Sequence, residues 1–269
     1  MGLGDNLMAT GFAKGAAARG KRIAFGHGKN IIWDQHSEEI FRNNPNIARP
    51  GSEGDKDLEW VPFYKGNRIY NRYDHVRDRW IWNYDFRPIP GELFFDPKEL
   101  AFAKNFGKGF VLIEPNVPSY KGCAKNKTWS ESRYINVVQL LKAKGYDVRQ
   151  FSYINRPLPG VSAIQTPSFR HALAVLSQAA LYIGPEGGLH HGAAAVGIPA
   201  VVIFGGFIPP QVTGYEDHIN LTGKADIFCG SMRPCPHCEA AMKRIKSKHV
   251  YDAAKEILER NKQIEQKAS

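Results

Sequence analysis

The sequence predicts an α/β protein, with helices on both faces of a parallel sheet and a smaller, less regular N-terminal portion. From residue 109 onwards, short apolar runs typical of buried strands alternate with segments of helical periodicity. This alternation is typical of units in which helices connect parallel strands. The segment PIPGELFFDPKE (88–99) breaks the pattern with three prolines. We therefore place a domain boundary near residues 90–107 and predict an N-terminal domain over 1–100 and a C-terminal domain over 101–269.

The composition excludes several classes of protein. A chain of 269 residues that is 43% hydrophobic can bury a substantial core, which excludes a disordered chain. There is no run of 18 apolar residues and no charged leader before an apolar segment, so we expect neither a membrane span nor a secretion signal. Four cysteines do not make a disulfide scaffold at this length, which favours a cytoplasmic protein. The net charge of +10 favours anionic partners such as nucleotide phosphates, nucleic acid or lipid headgroups, or is simply a solvated basic surface.

The N-terminal elements are predicted in order. An apolar stripe predicts a helix over 5–19, with Asp5 as its N-cap and Gly20 as its stop. Strands are expected over 21–26 and 31–34, and the turn-forming residues of 45–57 predict a loop.

The segment NRIYNRYDHVRDRWIWNYDFR (67–87) interleaves five arginines with six aromatic residues. Residues 79–87 alternate with period two, which predicts a strand whose buried face carries Trp80, Trp82, Tyr84 and Phe86. The alternative is a nucleic-acid surface, on which arginines contact phosphates and aromatic rings stack on bases.

The C-terminal part is more regular. We predict strands over 109–116, 146–152, 180–184 and 199–205, and helices over 130–145, 168–179, 189–197 and 247–264. The last helix could return to the N-terminal domain.

The turn PEGG (185–188) lies between a predicted strand and a predicted helix. Ligands gather beyond the carboxyl ends of parallel strands, and Gly187 and Gly188 allow the backbone to approach one closely. Free N–H groups at the helix start favour an anion such as a diphosphate, whereas Glu186 is suited to hydroxyl groups of ribose or a sugar. The alternative is an ordinary tight turn. The N-terminal GLGD has a similar shape, and Asp5 there is either a helix cap or a general base.

The chain resembles glycosyltransferase family 9, the ADP-heptose:lipopolysaccharide heptosyltransferases. Four segments carry the resemblance in the family's order: GDNLMATG (4–11), KTWS (127–130), PEGGLHHGAAAVGIPAVVIFGG (185–206) and CEAAMKRIKSKHVYDAAKEIL (238–258). The resemblance implies a GT-B fold, in which two Rossmann-like parallel-sheet domains face each other across a cleft, here with the N-terminal domain reduced. It implies an inverting, metal-independent transfer of a sugar from a nucleoside-diphosphate donor to an acceptor hydroxyl, with no cofactor.

The resemblance also implies roles for individual residues. Asp5 would be the catalytic base, with Gly4, Asn6 and Thr10 on the acceptor side. The donor-binding residues would be Lys127, Glu186, Gly187, Gly188, Leu189 and His191. Lys127 would neutralise the leaving diphosphate, and His191 would be either a ligand or a packed histidine.

The chain departs from the family in three ways. Only Met1, Gly2 and Leu3 precede the Gly-Asp motif where the family has a strand, Glu186 replaces an aspartate, and the N-terminal half is short. The acceptor therefore stays open among a saccharide, a lipid-linked saccharide and nucleic acid. Alternatives to a saccharide enzyme are a nucleic-acid-modifying glycosyltransferase, an epimerase-like protein and a nucleotide-sugar-binding protein without transferase activity.

Three cysteines near the C-terminus, Cys229, Cys235 and Cys238, are accompanied by His237. A C-x2-C pair is a recognised half of a zinc site, but the second pair is incomplete. Free thiols are therefore the expectation, and no metal is expected.

Overall fold

The protein was analysed as a computed structural model, which describes residues 1–118, 122–152 and 157–268. The N-terminal part contains α1 (Leu3–Ala9), α2 (Gly11–Ala17), β1 (Arg22–Gly26), α3 (Gln35–Phe41), β2 (Leu58–Pro62), β3 (Asn67–Arg68), β4 (Asn71–Asp74), β5 (Arg79–Trp82) and α4 (Pro97–Lys104). The C-terminal part contains β6 (Val111–Ile113), α5 (Ala124–Lys127), α6 (Glu131–Lys142), β7 (Val148–Phe151), β8 (Ser162–Ile164), α7 (Phe169–Leu176), β9 (Leu181–Pro185), α8 (Gly188–Ala195), β10 (Ala200–Ile203), α9 (Pro210–Thr213), β11 (His218–Leu221), α10 (Pro236–Arg244) and α11 (Ser247–Ala268).

The C-terminal part is built on a six-stranded parallel sheet in the order β11-β10-β9-β6-β7-β8. Successive residues of a strand face opposite sides of the sheet, and here both sides are buried. Leu112, Tyr182 and Val202 join the core beneath α7 and α8. Val111 and Ile183 belong to a second core, under α6 and α11. The predicted α/β architecture with a parallel sheet is confirmed.

The N-terminal part differs from the predicted second Rossmann-like sheet. Within the described ranges it has a two-stranded parallel sheet, β1-β2, and a three-stranded antiparallel sheet, β3-β4-β5. The strand expected over 31–34 is reduced to a single bridge between Gly26 and Ile31. Asp34 instead caps α3, because its side chain accepts a hydrogen bond from the Ser37 N–H.

The helix predicted over 5–19 is two short helices that meet at Thr10. The Thr10 hydroxyl donates to the Leu7 carbonyl at 2.7 Å and accepts from the Glu92 N–H at 2.8 Å, which ties the break to a distant segment. The N-cap of α1 is Gly2 rather than Asp5. Asp5 lies one turn further on, where its carboxylate accepts the Gly2 N–H at 2.9 Å.

The strand predicted over 79–87 ends at Trp82, and its aromatic face is only partly buried. Trp82 packs edge-on against Phe207, with ring centroids 5.7 Å apart, whereas Tyr84 is 54% exposed beyond the end of the strand. The edge of β5 continues into the C-terminal part, because the Trp80 N–H donates to the Gly230 carbonyl at 2.9 Å. The small antiparallel sheet therefore joins the two parts of the chain.

A buried ion pair also holds the two parts together. Arg170 of α7 donates to both carboxylate oxygens of Glu99 on α4, at 2.7 and 2.9 Å, and both side chains are at most 2% exposed. The last helix, α11, packs on α6, β9 and β10. Among the described residues, no helix combines the length and the apolar character needed to cross a membrane.

Candidate functional site

Two glycine-containing corners of the chain, the N-terminal GLGD (2–5) and the turn PEGG (185–188), contact each other. The first turn of α1 packs against the first turn of α8, which follows the carboxyl end of β9. A Cβ atom added at Gly4 would lie 3.1 Å from the Gly188 Cα and 3.0 Å from the His191 Cδ2. A methyl group there would crowd both atoms, so glycine at position 4 favours this close approach of the two backbones. Asp5 is therefore held next to the predicted diphosphate loop.

Lys127 and Glu186 form a buried ion pair at this junction. The Lys127 ammonium contacts the Glu186 carboxylate, and the two side chains are 12% and 7% exposed. Burial by itself would raise the pKa of Glu186, but the charge of Lys127 and a hydrogen bond from His191 outweigh it and lower that pKa strongly. The pKa of Lys127 is raised, because the charge of Glu186 outweighs the opposing effect of burial. Both groups are therefore ionised at neutral pH.

His191 contacts the carboxylate of Glu186 and so orients it. Its Nε2 lies 3.4 Å from Glu186 Oε1, and its Nδ1 lies 2.9 Å from the hydroxyl of Tyr215. Burial raises the pKa of Tyr215, so this hydroxyl keeps its proton. In the neutral tautomer with its proton on Nε2, which faces the carboxylate, His191 accepts the Tyr215 hydroxyl at Nδ1. In this arrangement His191 supports Glu186 and has both ring nitrogens in use.

The loop that precedes α8 offers backbone donors. Gly187 is the N-cap and provides no side-chain cap, and α8 begins at Gly188. The N–H groups of Gly188 and Leu189 belong to the first turn, where helices have no intrahelical acceptor. The roles predicted for these residues toward phosphate stay predictions.

Asp5 has two partners that the sequence analysis did not identify. The Tyr70 hydroxyl donates to Asp5 Oδ1, and the Arg68 guanidinium lies 3.2 Å from Asp5 Oδ2. Both partners come from the small antiparallel sheet, in and just after β3. Their signal was present in the sequence as the arginine–aromatic segment, but period-two alternation says nothing about which distant residue a strand contacts.

The three residues predicted to lie on the acceptor side differ in their surroundings. Gly4 faces α8, as described above. Asn6 is completely buried, donates to the Gly2 carbonyl at 3.2 Å and leaves its Oδ1 without a hydrogen-bond partner in the described structure. Thr10 is also completely buried and uses its hydroxyl to join α1 to residue 92. Neither Asn6 nor Thr10 is exposed in this arrangement, and their predicted roles stay predictions.

One group of side chains that could hold a metal ion lies in the C-terminal loop. The Sγ atoms of Cys229, Cys235 and Cys238 all lie within 4.8 Å of one another, and those of Cys229 and Cys238 are 3.1 Å apart. The Ser231 N–H donates to the Cys229 sulfur at 3.4 Å. Three converging sulfur atoms are a donor set suited to zinc or iron.

A second such group, Glu186, His190 and His191, lies within the ion-pair cluster. Its carboxylate is already neutralised by Lys127, and His191 is already bonded through both ring nitrogens. His190 is completely buried; burial, followed by the charge of His191, lowers its pKa well below the ordinary value, so it is neutral. The cysteine group is therefore the better candidate for a metal.

Comparisons with known proteins were made from the sequence and from the structure. No protein-family model matches the sequence, and a search of the curated proteins found no match. The structure is similar to the iron-containing dodecameric glycosyltransferase TibC from enterotoxigenic E. coli H10407, with a TM-score of 0.65 and 16% identity over 96% of this chain and 73% of that one. It is also similar to the glycosyl transferase family 9 protein from Veillonella parvula DSM 2008, with a TM-score of 0.62 and 13% identity over 96% of this chain and 94% of that one.

Coverage of a third protein is lower. This chain spans 55% of the length of E. coli ADP-heptose lps heptosyltransferase II, at a TM-score of 0.48 and 14% identity.

The expectation that no metal is involved was wrong. A protein of the same fold, TibC, is described as containing iron, and this chain brings three sulfur atoms together. A single C-x2-C pair was too little to predict this, because the third sulfur, that of Cys229, lies outside the motif.

The fold, the contact between the two glycine corners and the order of the motifs are each consistent with the family resemblance of the sequence. The chain therefore has the fold found in glycosyltransferase family 9, the family that its motifs resemble.

Proposed function

We propose that this protein is an inverting glycosyltransferase, which moves a sugar from a nucleoside-diphosphate donor to the hydroxyl group of an acceptor. The observation that carries the proposal is the contact between α1 and α8, which holds Asp5 beside Lys127, Glu186 and the glycine loop. A structure of TibC, similar to this chain at a TM-score of 0.56, is described as a complex with ADP-D-beta-D-heptose. ADP-heptose is therefore the first donor to test.

The reaction follows from the charges at the junction. The acceptor oxygen attacks the anomeric carbon from the face opposite the diphosphate, and its proton passes to the Asp5 carboxylate. The bond between the anomeric carbon and the phosphate oxygen breaks with its electron pair, which leaves the nucleoside diphosphate with an additional negative charge. Lys127 and the N–H groups at the start of α8 stabilise that charge.

The alternative of a nucleic-acid-modifying enzyme has less support. Trp82 and Tyr70, from the arginine–aromatic segment, are at most 8% exposed and belong to the core, so they are not available for stacking on bases. Arg68, from the same segment, is paired with Asp5. We propose a saccharide or lipid-linked saccharide as the acceptor.

ADP release from ADP-heptose tests the proposal, with calorimetric binding of ADP measured in parallel. We expect Asp5→Asn to retain ADP binding and to slow turnover by about 10²- to 10⁴-fold, because an amide cannot take the proton. We expect Lys127→Met to weaken ADP binding. If wild type binds ADP-heptose but turns it over no faster than Asp5→Asn, the proposed role of Asp5 as the base is wrong. If neither ADP nor ADP-heptose binds, the proposed donor is wrong.

We further propose that Cys229, Cys235 and Cys238 hold a structural metal ion, as zinc or iron. The convergence of the three sulfur atoms supports this, as does the iron described for TibC. The ion would fix the loop next to the small antiparallel sheet and would take no part in the transfer step. Elemental analysis of the purified protein tests it, and we expect about one ion per chain. Cys235→Ser should lose the ion, whereas Cys123→Ser, which changes a thiol outside the group, should keep it. A metal-free wild type or a disulfide between Cys229 and Cys238 would overturn the assignment.

A further inference from the structure

The carboxylate of Asp5 is surrounded by hydrogen-bond donors. Oδ2 accepts the Gly2 N–H at 2.9 Å and faces the Arg68 guanidinium at 3.2 Å. Oδ1 accepts the hydroxyl of Tyr70. A carboxylate has about four lone-pair positions, two on each oxygen. Among the described residues, hydrogen bonds occupy one position on each oxygen, and the Arg68 guanidinium lies beside Oδ2 as an ion-pair partner.

Tyr70 is well suited to stay a donor. Its side chain is 5% exposed, and its ring lies near that of Phe86, with centroids 6.3 Å apart. Burial and the charge of Asp5 raise the pKa of the Tyr70 hydroxyl well above its ordinary value, so the group keeps its proton at neutral pH. Because a protonated phenol bonded to a carboxylate must donate, its direction is fixed.

Arg68 is held on its own side of the carboxylate. Its guanidinium lies over the ring of Trp80, 4.5 Å from the centroid, and its NH1 lies 3.3 Å from the hydroxyl of Tyr70. The side chain is 18% exposed, so the charge is largely removed from water. Tyr70 and Arg68 therefore contact each other as well as Asp5, which makes the three side chains one unit.

We propose that Tyr70 and Arg68 are positioning residues that orient the Asp5 carboxylate so that a lone pair of Oδ1 accepts the proton of the acceptor hydroxyl. This inference rests on the proposed role of Asp5 as the base. It gives a function to the arginine–aromatic segment, which the transfer mechanism otherwise does not use. The Asp5 side chain retains 16% exposure, so its carboxylate is not sealed off from solvent.

The position of this unit depends on the C-terminal part of the chain. The Trp80 N–H donates to the Gly230 carbonyl at 2.9 Å, and Trp82 Nε1 donates to the Phe228 carbonyl at 3.2 Å. The sheet that carries Arg68 is thereby attached to the loop that contains Cys229. The acceptor-side base is thus aligned by the same part of the molecule that binds the donor.

The test compares kcat and KM for ADP release from ADP-heptose, with water as the acceptor. In Tyr70→Phe, which keeps the ring, we expect kcat to fall between about 10- and 100-fold, because a carboxylate displaced by an ångström loses that much. KM should stay within about twofold. Arg68→Gln should behave in the same way, and Arg68→Lys should recover part of the rate. Arg72→Gln, an exposed arginine of the neighbouring strand, is the matched control and should be unaffected.

Each outcome separates the inference from the proposed function. If Asp5→Asn abolishes turnover while Tyr70→Phe and Arg68→Gln retain it, the positioning role is wrong and the base stands. If Tyr70→Phe raises KM at unchanged kcat, Tyr70 binds the donor and the inference is overturned. If wild type and Asp5→Asn release ADP at the same rate, the base role fails and the positioning role fails with it. A variant counts as folded if its melting temperature lies within a few degrees of that of wild type. If Arg68→Gln is not folded, Tyr70→Phe alone is enough to test the inference.

Discussion

The ammonium group of Lys127 is in contact with the carboxylate of Glu186, 59 residues further along the chain. The pair is largely buried, and the lysine is the residue predicted to neutralise the donor diphosphate. A phosphate oxygen and the Glu186 carboxylate would therefore compete for the same ammonium group. In the proposed site, a bound diphosphate would draw the ammonium away from Glu186 or share it with that carboxylate.

This competition predicts opposite effects for the two partners. In Glu186→Gln the ammonium has no competing charge, and we expect ADP to bind about tenfold more tightly, a gain of about 1.4 kcal/mol. In Lys127→Met we expect binding to weaken by tenfold or more, because a charge-assisted contact is lost. Calorimetric titration with ADP measures both. Lys125→Met, an exposed lysine of the same helix, controls for overall charge. Weaker ADP binding in Glu186→Gln would show that Glu186 binds the nucleotide itself.

The contact between the two corners predicts a cost for any side chain at Gly4. A Cβ atom there would lie 3.1 Å from backbone of Gly188, which cannot move without shifting α8. We expect Gly4→Ala to lower the free energy of unfolding by about 1–3 kcal/mol, the usual cost of overpacking. Gly54→Ala, at an exposed glycine with no atom within 4 Å of its added Cβ, should change it by less than about 0.5 kcal/mol. Urea denaturation measures both, and equal effects in the two variants would contradict the packing argument.

The C-terminal sheet could be predicted from the sequence because its signals are local. The inner strands β6, β9 and β10 are buried on both faces and appear as continuous apolar runs, and some of the helices have a local cap or stop. Ser168, for example, caps α7 by accepting the His171 N–H, and Gly145 ends its helix with a φ of +79°. The prediction missed β8 and β11, which lie at the two edges of the sheet, where apolar runs are shorter.

The N-terminal part was predicted less well because its structure depends on distant contacts. Thr10 ends α1 through a bond to residue 92, and Asp34 caps a helix that has little periodicity of its own. The small antiparallel sheet has strands of two to four residues and is completed by Gly230. The same dependence on distant contacts explains why the candidate site was predicted only in part. Motif residues such as Lys127 and Glu186 were predicted individually, but their pairing was not, and Tyr70 and Arg68 belong to no motif.

Removal of the proposed metal should affect the joint between the two parts of the chain. Cys229 immediately precedes Gly230, whose carbonyl accepts the Trp80 N–H of β5. We expect a strong chelator to lower the melting temperature of wild type by several degrees, since about 1 kcal/mol corresponds to about 2–4 °C for a domain of this size. The melting temperature of Cys235→Ser should be low already and should not respond to the chelator. A wild-type melting temperature that the chelator leaves unchanged would contradict a structural role for the metal.

The carboxyl group of Glu114, at the end of β6, predicts a dependence of stability on pH. Burial raises the pKa of this group from its ordinary 4.5 to about 7, although hydrogen bonds from Asn116 oppose the shift. Between these two values the folded protein holds a proton that the unfolded chain has released. The contribution of Glu114 to stability is therefore fully present below pH 4.5 and is lost as the pH rises to about 7.

A shift of this size corresponds to about 3 kcal/mol. Glu114→Gln carries no charge at any pH, so we expect it to match wild type near pH 4 and to be more stable by up to about 3 kcal/mol at pH 8. Denaturant titrations of both proteins across this range measure the difference in their free energy of unfolding. The buried histidines contribute equally to both proteins, so their contributions cancel in that difference. Glu256→Gln, at an exposed glutamate of α11, should leave the wild-type profile unchanged. A constant difference between Glu114→Gln and wild type from pH 4 to pH 8 would mean that Glu114 does not change its charge on folding.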